Sequence, residues 1–591
     1  MDTIGLVTLG VQSHFRVSEA KEPSLRTIRP TVLSALSAII LGAASPSQSA
    51  AVPGMNMVMA PMPSAYAGEA DKPGAPIFTG LGAHHHKITT HNPKVQALFD
   101  QGVNLIFGFN HAEAIRSFRE AARLDPGCAM CWWGVAFALG PNINMSMPPD
   151  AVTPAWQALQ KAQAIKSRGS LTEQAWIDAL AVRYAPAPPS DRRALDEAFA
   201  QAMKALWQSH PEDLDAGTFY VESLMDTQPW DYWQPDGKSP KGHGGDIVAI
   251  LENIMATAPD HPGALHLYIH AVEASTTPQR AEAAADRLLK LMPGAGHIVH
   301  MPSHIYYRVG RYADADRANE NAAKVDEAYI ATCRAQGFYP TGYYGHNIHF
   351  LWTSSEMQGR YQASLDAARR LVKAVNPEAG AATTRALELY AFTPMATLLR
   401  FGKYPEILAE PTPPAALKLE SAIALYARGF AHANTVDHAA AAADRAELSK
   451  LVAGDWTAYA ASGVPAHAMA NLALALLDGE IARTGGNISD AVARFQLALR
   501  LEESLPYTEP AYWHQPVSHL LGAALIQSGQ AHAAEMVYRT SLETYRRDGW
   551  AYWGLSKALH DQGRQAEADE ANKAFTEAWS RSDVTLAQSR F

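Results

Sequence analysis

The chain has 591 residues, of which 48% are hydrophobic and 18% are charged, and its formal net charge is −10. The apolar content excludes a wholly disordered chain, and the length exceeds that of one compact domain. The acidic balance gives no electrostatic support to a nucleic-acid partner.

The N-terminus has the pattern of an export signal. Arg26 and Arg29 precede an apolar stretch over 32–44, and small residues follow as far as Ala50. This order is typical of a secretory signal, and the apolar run is too short to cross a bilayer. We therefore predict a signal peptide over 1–50, a periplasmic or secreted location and no stable membrane insertion. The alternative interpretation is a disordered tail.

Helix–turn–helix units repeat along most of the chain. The segment 99–126 has the small Gly102 in its first helix, Phe118 in its second and a closing Asp-Pro. Near the C-terminus the turn glycines Gly529 and Gly563 lie 34 residues apart. These features resemble the tetratricopeptide repeat, a helix–turn–helix unit of that length. Because alternating β patterns are absent from the sequence, the predicted fold class is an all-α, tetratricopeptide-type helix–turn–helix solenoid.

Irregular segments divide the predicted array. Residues 51–94 form an arm rich in methionine, proline and histidine. N-terminal and central repeats follow over 95–408, and C-terminal repeats over 409–591. Long polar or proline-rich connections lie at 228–245 and 504–516. Long loops in such folds often carry function.

Eight of the 23 histidines lie between His261 and His349 in three short patches. Residues three, four or seven apart share one face of an α-helix. Three sets follow this spacing: His266, His270 and Glu273; His297, His300 and His304; and His346 and His349. His261 falls outside these faces and is expected in a loop.

The repeat register relates the three patches to one another. Positions were counted from the turn glycines Gly310 and Gly359, and from Pro293 as the end of the preceding unit. In tetratricopeptide proteins these first-helix positions line the concave groove, so the resemblance implies three adjacent helices that direct imidazoles into one cavity. The equivalent pairs are His297 with His346, His300 with His349, His266 with His300, and His270 with His304.

We interpret this cluster as a metal site, because imidazole suits zinc, copper, iron and nickel and i,i+4 pairs seat transition-metal ions. Glu273 and Tyr306 are the candidate catalytic residues, the first as an acid, base or auxiliary ligand. Copper is favoured over zinc or iron by the imidazoles, the export signal and a thioether run from Met55 to Met62. The predicted ligands, not all on one ion, are His266, His270, His297, His300, His304, His346 and His349.

Several weaker signals stay open at this stage. The arm histidines His84, His85 and His86 either complete the site or form a solvated loop. Cys128 and Cys131 form a CxxC pair that fits a disulfide, a thiolate pair or two packed thiols. A structural role is favoured for His514 and His519.

The phrases LGAHHHKITT, FGFNHAEAIRSFREAARLDPGCAMCWWG, HPGALHLYIHAVEAS and HMPSHIYYRVGRY resemble a group of exported bacterial tetratricopeptide repeat proteins. The resemblance spans nearly the whole chain after the predicted signal. It implies the fold, and it transfers no activity to particular residues.

The leading hypothesis is an exported metal-binding repeat protein that acts as a copper-dependent oxidoreductase on a small molecule. Zinc with Glu273 as the base would favour hydrolysis instead, although the sequence lacks an HExxH motif. The alternatives are a metal-free tetratricopeptide scaffold for protein–protein interaction in the cell envelope and a metal store without turnover. The expected partners are a metal ion and, in the groove, a small-molecule substrate or a protein.

Overall fold

The computed structural model describes residues 66, 72, 74–335, 338–376 and 385–591. All of these residues fall within one compact unit over 54–591. The predicted signal peptide and the run Met55 to Met62 lie outside the described residues. Across the described ranges there is no β-strand, and no helix is long and apolar enough to cross a membrane.

The N-terminal helices begin at Pro93, and each packs against the next helix in sequence. Short 3-10 turns lie at Pro149–Ala151 and Lys166–Arg168. The helices are α1 (Pro93–Phe107), α2 (His111–Leu124), α3 (Ala129–Ala138), α4 (Val152–Ile165), α5 (Leu171–Ala181), α6 (Arg193–Ser209), α7 (Leu214–Thr227) and α8 (Gly244–Thr257).

The central helices carry the three histidine patches. Pro302 has no backbone N–H to donate, so the helix that contains the second patch is divided at Met301 into α11 and α12. A 3-10 turn lies at Pro278–Ala281. The helices are α9 (Pro262–Glu273), α10 (Glu282–Leu291), α11 (Gly296–His300), α12 (Pro302–Arg308), α13 (Tyr312–Cys333), α14 (Phe338–Thr341), α15 (Tyr343–Met357) and α16 (Tyr361–Val375).

The C-terminal helices continue the same pairing after a 3-10 turn at Arg385–Leu387. They are α17 (Glu388–Ala391), α18 (Thr393–Arg400), α19 (Tyr404–Ala409), α20 (Lys418–Asn434), α21 (His438–Val452), α22 (Thr457–Ala461), α23 (Ala466–Thr484), α24 (Ile488–Glu503), α25 (Val517–Gln527), α26 (Ala531–Thr544), α27 (Gly549–Asp561) and α28 (Gln565–Ala578).

In several repeats an aromatic ring lies against glycine in the interior. A Cβ atom added at Gly102 would come within 2.4 Å of the Phe118 ring, and one at Gly134 within 2.6 Å. Gly479 and Phe495 approach each other in the same way. The turn glycines adopt positive φ, a conformation that only glycine reaches without strain. The predicted all-α, tetratricopeptide-type solenoid is confirmed.

The C-terminal repeats fold back onto the central helices. The hydroxyl of Tyr312 donates to the carbonyl of Arg546 at 2.9 Å, and Trp550 Nε1 donates to the carbonyl of Glu356 at 3.1 Å. The connection 504–516 lies against the histidine-bearing helices. Later segments of the chain therefore cover the helix faces that carry the histidines.

Replacing Gly102 with alanine is expected to lower the free energy of unfolding by about 1–3 kcal/mol, because the new Cβ overlaps the Phe118 ring. Helix propensity alone would raise it by about 1 kcal/mol. Urea denaturation followed by circular dichroism gives the sign. Adding Phe118→Leu should recover part of the loss, whereas a more stable Gly102→Ala protein would contradict this packing account.

Candidate metal centre

Helix α9 carries the first two predicted ligands in a fully buried segment. All 12 of its residues are buried, which places it in the middle of the packed helices. Pro262 occupies its first turn, and the side chain of His261 accepts the backbone N–H of Ala264 as the N-cap. His266 and His270 lie four residues apart and therefore face the same side.

His266, His270 and His297 form the first triad. One ring nitrogen from each lies within 4.8 Å of the other two. The Nδ1 atom of His266 donates to the carbonyl of Phe107 at 2.6 Å, and that of His270 donates to Glu273 Oε1 at 2.8 Å. Because carbonyl and carboxylate oxygens accept hydrogen bonds, the ring protons lie on Nδ1 and the Nε2 atoms keep their lone pairs.

The free nitrogens of the first triad are buried. Among the described residues, no hydrogen-bond partner meets Nε2 of His266, Nε2 of His270 or either ring nitrogen of His297. All three residues are 1–2% exposed. A buried polar atom without a partner costs about 1–3 kcal/mol, so four such nitrogens together call for an explanation such as a bound ion.

His300, His304 and His346 form the second triad. The Nε2 atom of His304 lies 2.9 Å from Nε2 of His300 and 3.4 Å from Nε2 of His346. The Nδ1 atom of His300 donates to Asn319 Oδ1 at 2.6 Å, and the Asn319 amide nitrogen donates in turn to the carbonyl of Ala315. This second bond orients the Asn319 amide, which fixes the ring of His300 with its Nε2 lone pair toward the triad.

Glu273 connects the two triads. Its Oε1 accepts from His270, and its Oε2 accepts from Nδ1 of His304 at 2.5 Å. The rings of His270 and His304 have centroids 5.2 Å apart, so the triads are neighbours. His270, Glu273 and His304 also lie close enough to hold an ion themselves. Their hydrogen bonds favour a supporting role for Glu273, since a carboxylate that binds the second nitrogen of a ligating histidine orients the ring.

The two triads are the same arrangement repeated one unit along the chain. Each combines two histidines four residues apart in one unit with one histidine from the next unit. A third copy would begin at His349, but Thr353 stands where its second histidine would be. By the repeat register, His266, His270 and His297 correspond to His300, His304 and His346.

Burial controls the protonation of the six imidazoles. Loss of hydration lowers the pKa of five of them well below its usual value, with neighbouring imidazoles adding to the effect: His266, His270, His297, His300 and His346. Burial alone would also lower the pKa of His304, but the Glu273 carboxylate, helped by Glu509, raises it to about 9. Neutral imidazole is the form that binds metal ions.

Segments distant in sequence enclose the triads. The centroid of the Phe109 ring lies 4.4 Å from that of His266, and the Trp230 ring lies 4.8 Å from His270. Glu509 Oε2 lies 3.4 Å from Nδ1 of His304. Trp230 and Glu509 belong to the two long connections that loop length had marked for function. The sequence does not predict that Trp230, Glu509 and Asn319 contact the histidines, because no regular spacing links these residues to them.

Two predicted site residues lie outside the triads. The hydroxyl of Tyr306 donates to Asp286 at 2.7 Å and its ring stacks under Arg311, because a residue two positions after His304 points to another side of the helix. His349 stacks on Trp352, with centroids 5.2 Å apart. It belongs to none of the ligand groups among the described residues.

The N-terminal arm makes a separate cluster around Asp215. His84 Nε2 and His86 Nδ1 donate to its two oxygens at 3.0 and 2.7 Å, and His261 Nε2 donates at 3.1 Å. Because Nδ1 of His261 accepts the N–H of Ala264, the ring proton lies on Nε2. That nitrogen is a donor rather than a ligand, so these histidines fasten the arm to α7 and do not join the triads.

The other open alternatives are also resolved within the described residues. His85 Nδ1 pairs with Asp100 at 2.8 Å on the surface. Cys128 and Cys131 form a disulfide, so they are not a thiolate metal pair. Cys333 is buried and reduced.

Comparison with known proteins finds likeness only among solved structures. No family model matches the chain, and no curated protein matches it. A human IFIT1 dimer with m7Gppp-AAAA is 12% identical over 82% of this chain and 90% of that chain, with a TM-score of 0.30. Yeast Tom70 is 12% identical over 83% and 92%, with a TM-score of 0.28. The P58(IPK) TPR domain is 12% identical over 80% and 98%, with a TM-score of 0.21.

This likeness concerns helical repeats alone. At such identities and TM-scores, what those proteins bind is not transferred to this chain. The bacterial and exported character indicated by the sequence stays a prediction.

Replacing His297 with leucine is expected to raise the free energy of unfolding of chelator-treated protein by about 1–3 kcal/mol, because the change removes two buried nitrogens without partners. His519→Leu is the matched control. It breaks a buried 2.6 Å bond to Asp548 and should lower the stability by about 1–3 kcal/mol. Calorimetric melting measures both, and equal destabilisation by the two changes would contradict the interpretation of His297.

Proposed function

We propose that this protein binds two transition-metal ions, one in each histidine triad, and uses them to oxidise a small molecule, with copper as the favoured metal. One observation carries the proposal. Two equivalent sets of three imidazoles each bring three ring nitrogens within 4.8 Å of one another, and four of the six rings are held from behind by carbonyl, amide or carboxylate oxygen. Such backing is typical of histidines that ligate metals.

The chemistry of the donor set supports copper. Each triad offers nitrogen only, without a thiolate or a carboxylate. Di-iron centres in helical proteins use several glutamates, so a set of imidazoles alone argues against iron. Nitrogen ligands bind copper(II) more tightly than the other divalent first-row ions. Copper would supply one-electron and dioxygen chemistry, and three protein ligands leave a position for a reactant.

The residues around the triads have distinct roles in this proposal. Glu273 holds the Nδ1 protons of His270 and His304 and thereby aims a nitrogen of each triad at its ion. Asn319 does the same for His300. Glu273 and Glu509 place negative charge beside the cations, and the rings of Phe109 and Trp230 exclude water. Zinc in the same triads would redirect the chemistry to hydrolysis by bound water.

An extracytoplasmic location belongs to the same proposal. The Cys128–Cys131 disulfide supports it, because disulfides persist in oxidising compartments. The basic, apolar and small residues of 1–50 support it independently.

The metal-free scaffold remains the alternative, since solenoids of this class commonly present a surface to a protein partner. It accounts for the fold. It leaves unexplained why five of the six triad imidazoles are no more than 2% exposed, out of reach of a bound peptide.

The full chain, exported and purified without a histidine tag, is expected to contain two equivalents of metal by elemental mass spectrometry. Because each triad holds its own ion, His270→Ala with His297→Ala should leave about one equivalent, as should His304→Ala with His346→Ala. His532→Ala, on a side chain 78% exposed, is the control and should keep two. Unchanged content in both double variants, or no metal after reconstitution, would favour the scaffold.

Glu273→Gln is expected to weaken metal binding about 10–100-fold while all six imidazoles remain, because the amide accepts from only one of the two Nδ1–H groups. Competition against a chelator measures the affinity, and circular dichroism checks the fold. Glu252→Gln, a surface carboxylate 41% exposed, is the matched control. An unchanged affinity in Glu273→Gln would remove Glu273 from the centre.

A further inference from the structure

A cavity of about 160 Å³ opens beside the second triad. We call it the aromatic cavity. His346 lines it and is half-buried, whereas the other five triad histidines are fully buried. His349, which belongs to neither triad, also lines it. The aromatic cavity is therefore the place where a small molecule can approach a triad ligand from outside.

Apolar side chains, four of them aromatic, form most of its wall. They are Trp352, Leu387, Tyr390, Phe392, Val464 and Tyr512. An apolar cavity of about 150 Å³ is known to hold one benzene molecule. The space thus fits a single six-membered ring with a small substituent.

The polar groups of the aromatic cavity select the substituent. The ring of His514 can bond to the backbone of Ala396 through one nitrogen, which leaves the other without a hydrogen-bond partner among the described residues, and the residue is only 7% exposed. Burial, followed by the charge of Arg400, lowers the pKa of His514 to about 3, so its ring is neutral and offers a lone pair. Glu509 Oε2 forms a 3.4 Å ion pair with His304 and can accept a further hydrogen bond. The structural role expected for His514 does not account for its unpartnered ring nitrogen.

Charge excludes a second class of molecule. No lysine or arginine is among the residues that line the aromatic cavity, and the carboxylate of Glu509 is. An aromatic acid would bring its own negative charge into a partly apolar space whose lining residues include no lysine or arginine to receive it. A neutral hydroxyl or amino group instead donates to the free imidazole nitrogen or carboxylate oxygen.

We propose that the aromatic cavity is the substrate site and takes one uncharged aromatic ring that carries a hydroxyl or amino donor, a phenol or an arylamine. That the bound molecule is a substrate rests on the proposed function. That it binds in this place rests on the geometry of the cavity alone. His514 and Glu509 orient the donor group, and the aromatic wall holds the ring beside His346.

Phenol, benzene and benzoate are the probes, titrated into the full chain and followed by ligand-observed NMR with metal present and after chelation. Phenol should bind, and benzoate should bind at least about tenfold more weakly, because no lysine or arginine lines the cavity.

Three variants test the place of binding. Ala511→Phe fills the cavity and should weaken phenol binding about tenfold or more, whereas Ala415→Phe, at an exposed alanine, should not. His514→Phe should weaken phenol but not benzene, because it removes the acceptor and keeps a ring.

Metal content, measured in the same samples, separates this inference from the proposed function. Phenol binding to protein that takes up no metal even after reconstitution would overturn the metal centre and retain the aromatic binding site. Two equivalents of metal without phenol binding would overturn the inference alone. Equal phenol affinity in Ala511→Phe and the unchanged chain, or benzoate binding as tight as phenol, would also overturn it.

Discussion

The buried carboxylate of Glu273 lies between His270 and His304, and the arrangement of both triads depends on it. A carboxylate that is only 1% exposed is costly unless it is fully hydrogen-bonded. It meets that need by accepting one imidazole N–H on each oxygen. The same two bonds set the orientation of one ligand in each triad. One short hydrogen-bonded chain thus joins two helices and two candidate ion sites.

The repeat explains why there are two triads and why they are alike. A helix pair repeated along a solenoid places equivalent first-helix residues side by side, so one pattern of two histidines plus one recurs when the sequence recurs. Thr353 ends the series, because a third set would need an imidazole there. The fold-back of the C-terminal repeats then covers these faces and removes water, and this burial lowers the pKa of every triad imidazole except that of His304.

Local spacing in the sequence predicts much of the histidine arrangement. Four-residue separation places His266 beside His270 on any α-helix, and the turn glycines give the register that equates His297 with His346. Spacing also made His349 a candidate, and closeness in sequence made Tyr306 one, but both lie outside the triads. A helix turns by about 100° per residue, so Tyr306 points to a different side from His304. His349 matches the repeat register, but a match at one position does not supply the other two histidines of a triad.

The sequence by itself determined the all-α repeat class and the helices that carry the imidazoles, because helix periodicity and turn glycines are local properties. Only the tertiary structure decided which imidazoles meet, that Asn319 and the Phe107 carbonyl support them, and that Glu509 approaches from the connection 504–516. It also placed the arm histidines on Asp215 instead of in the triads. These contacts join residues far apart in the chain, and their geometry follows from the packing of whole helices.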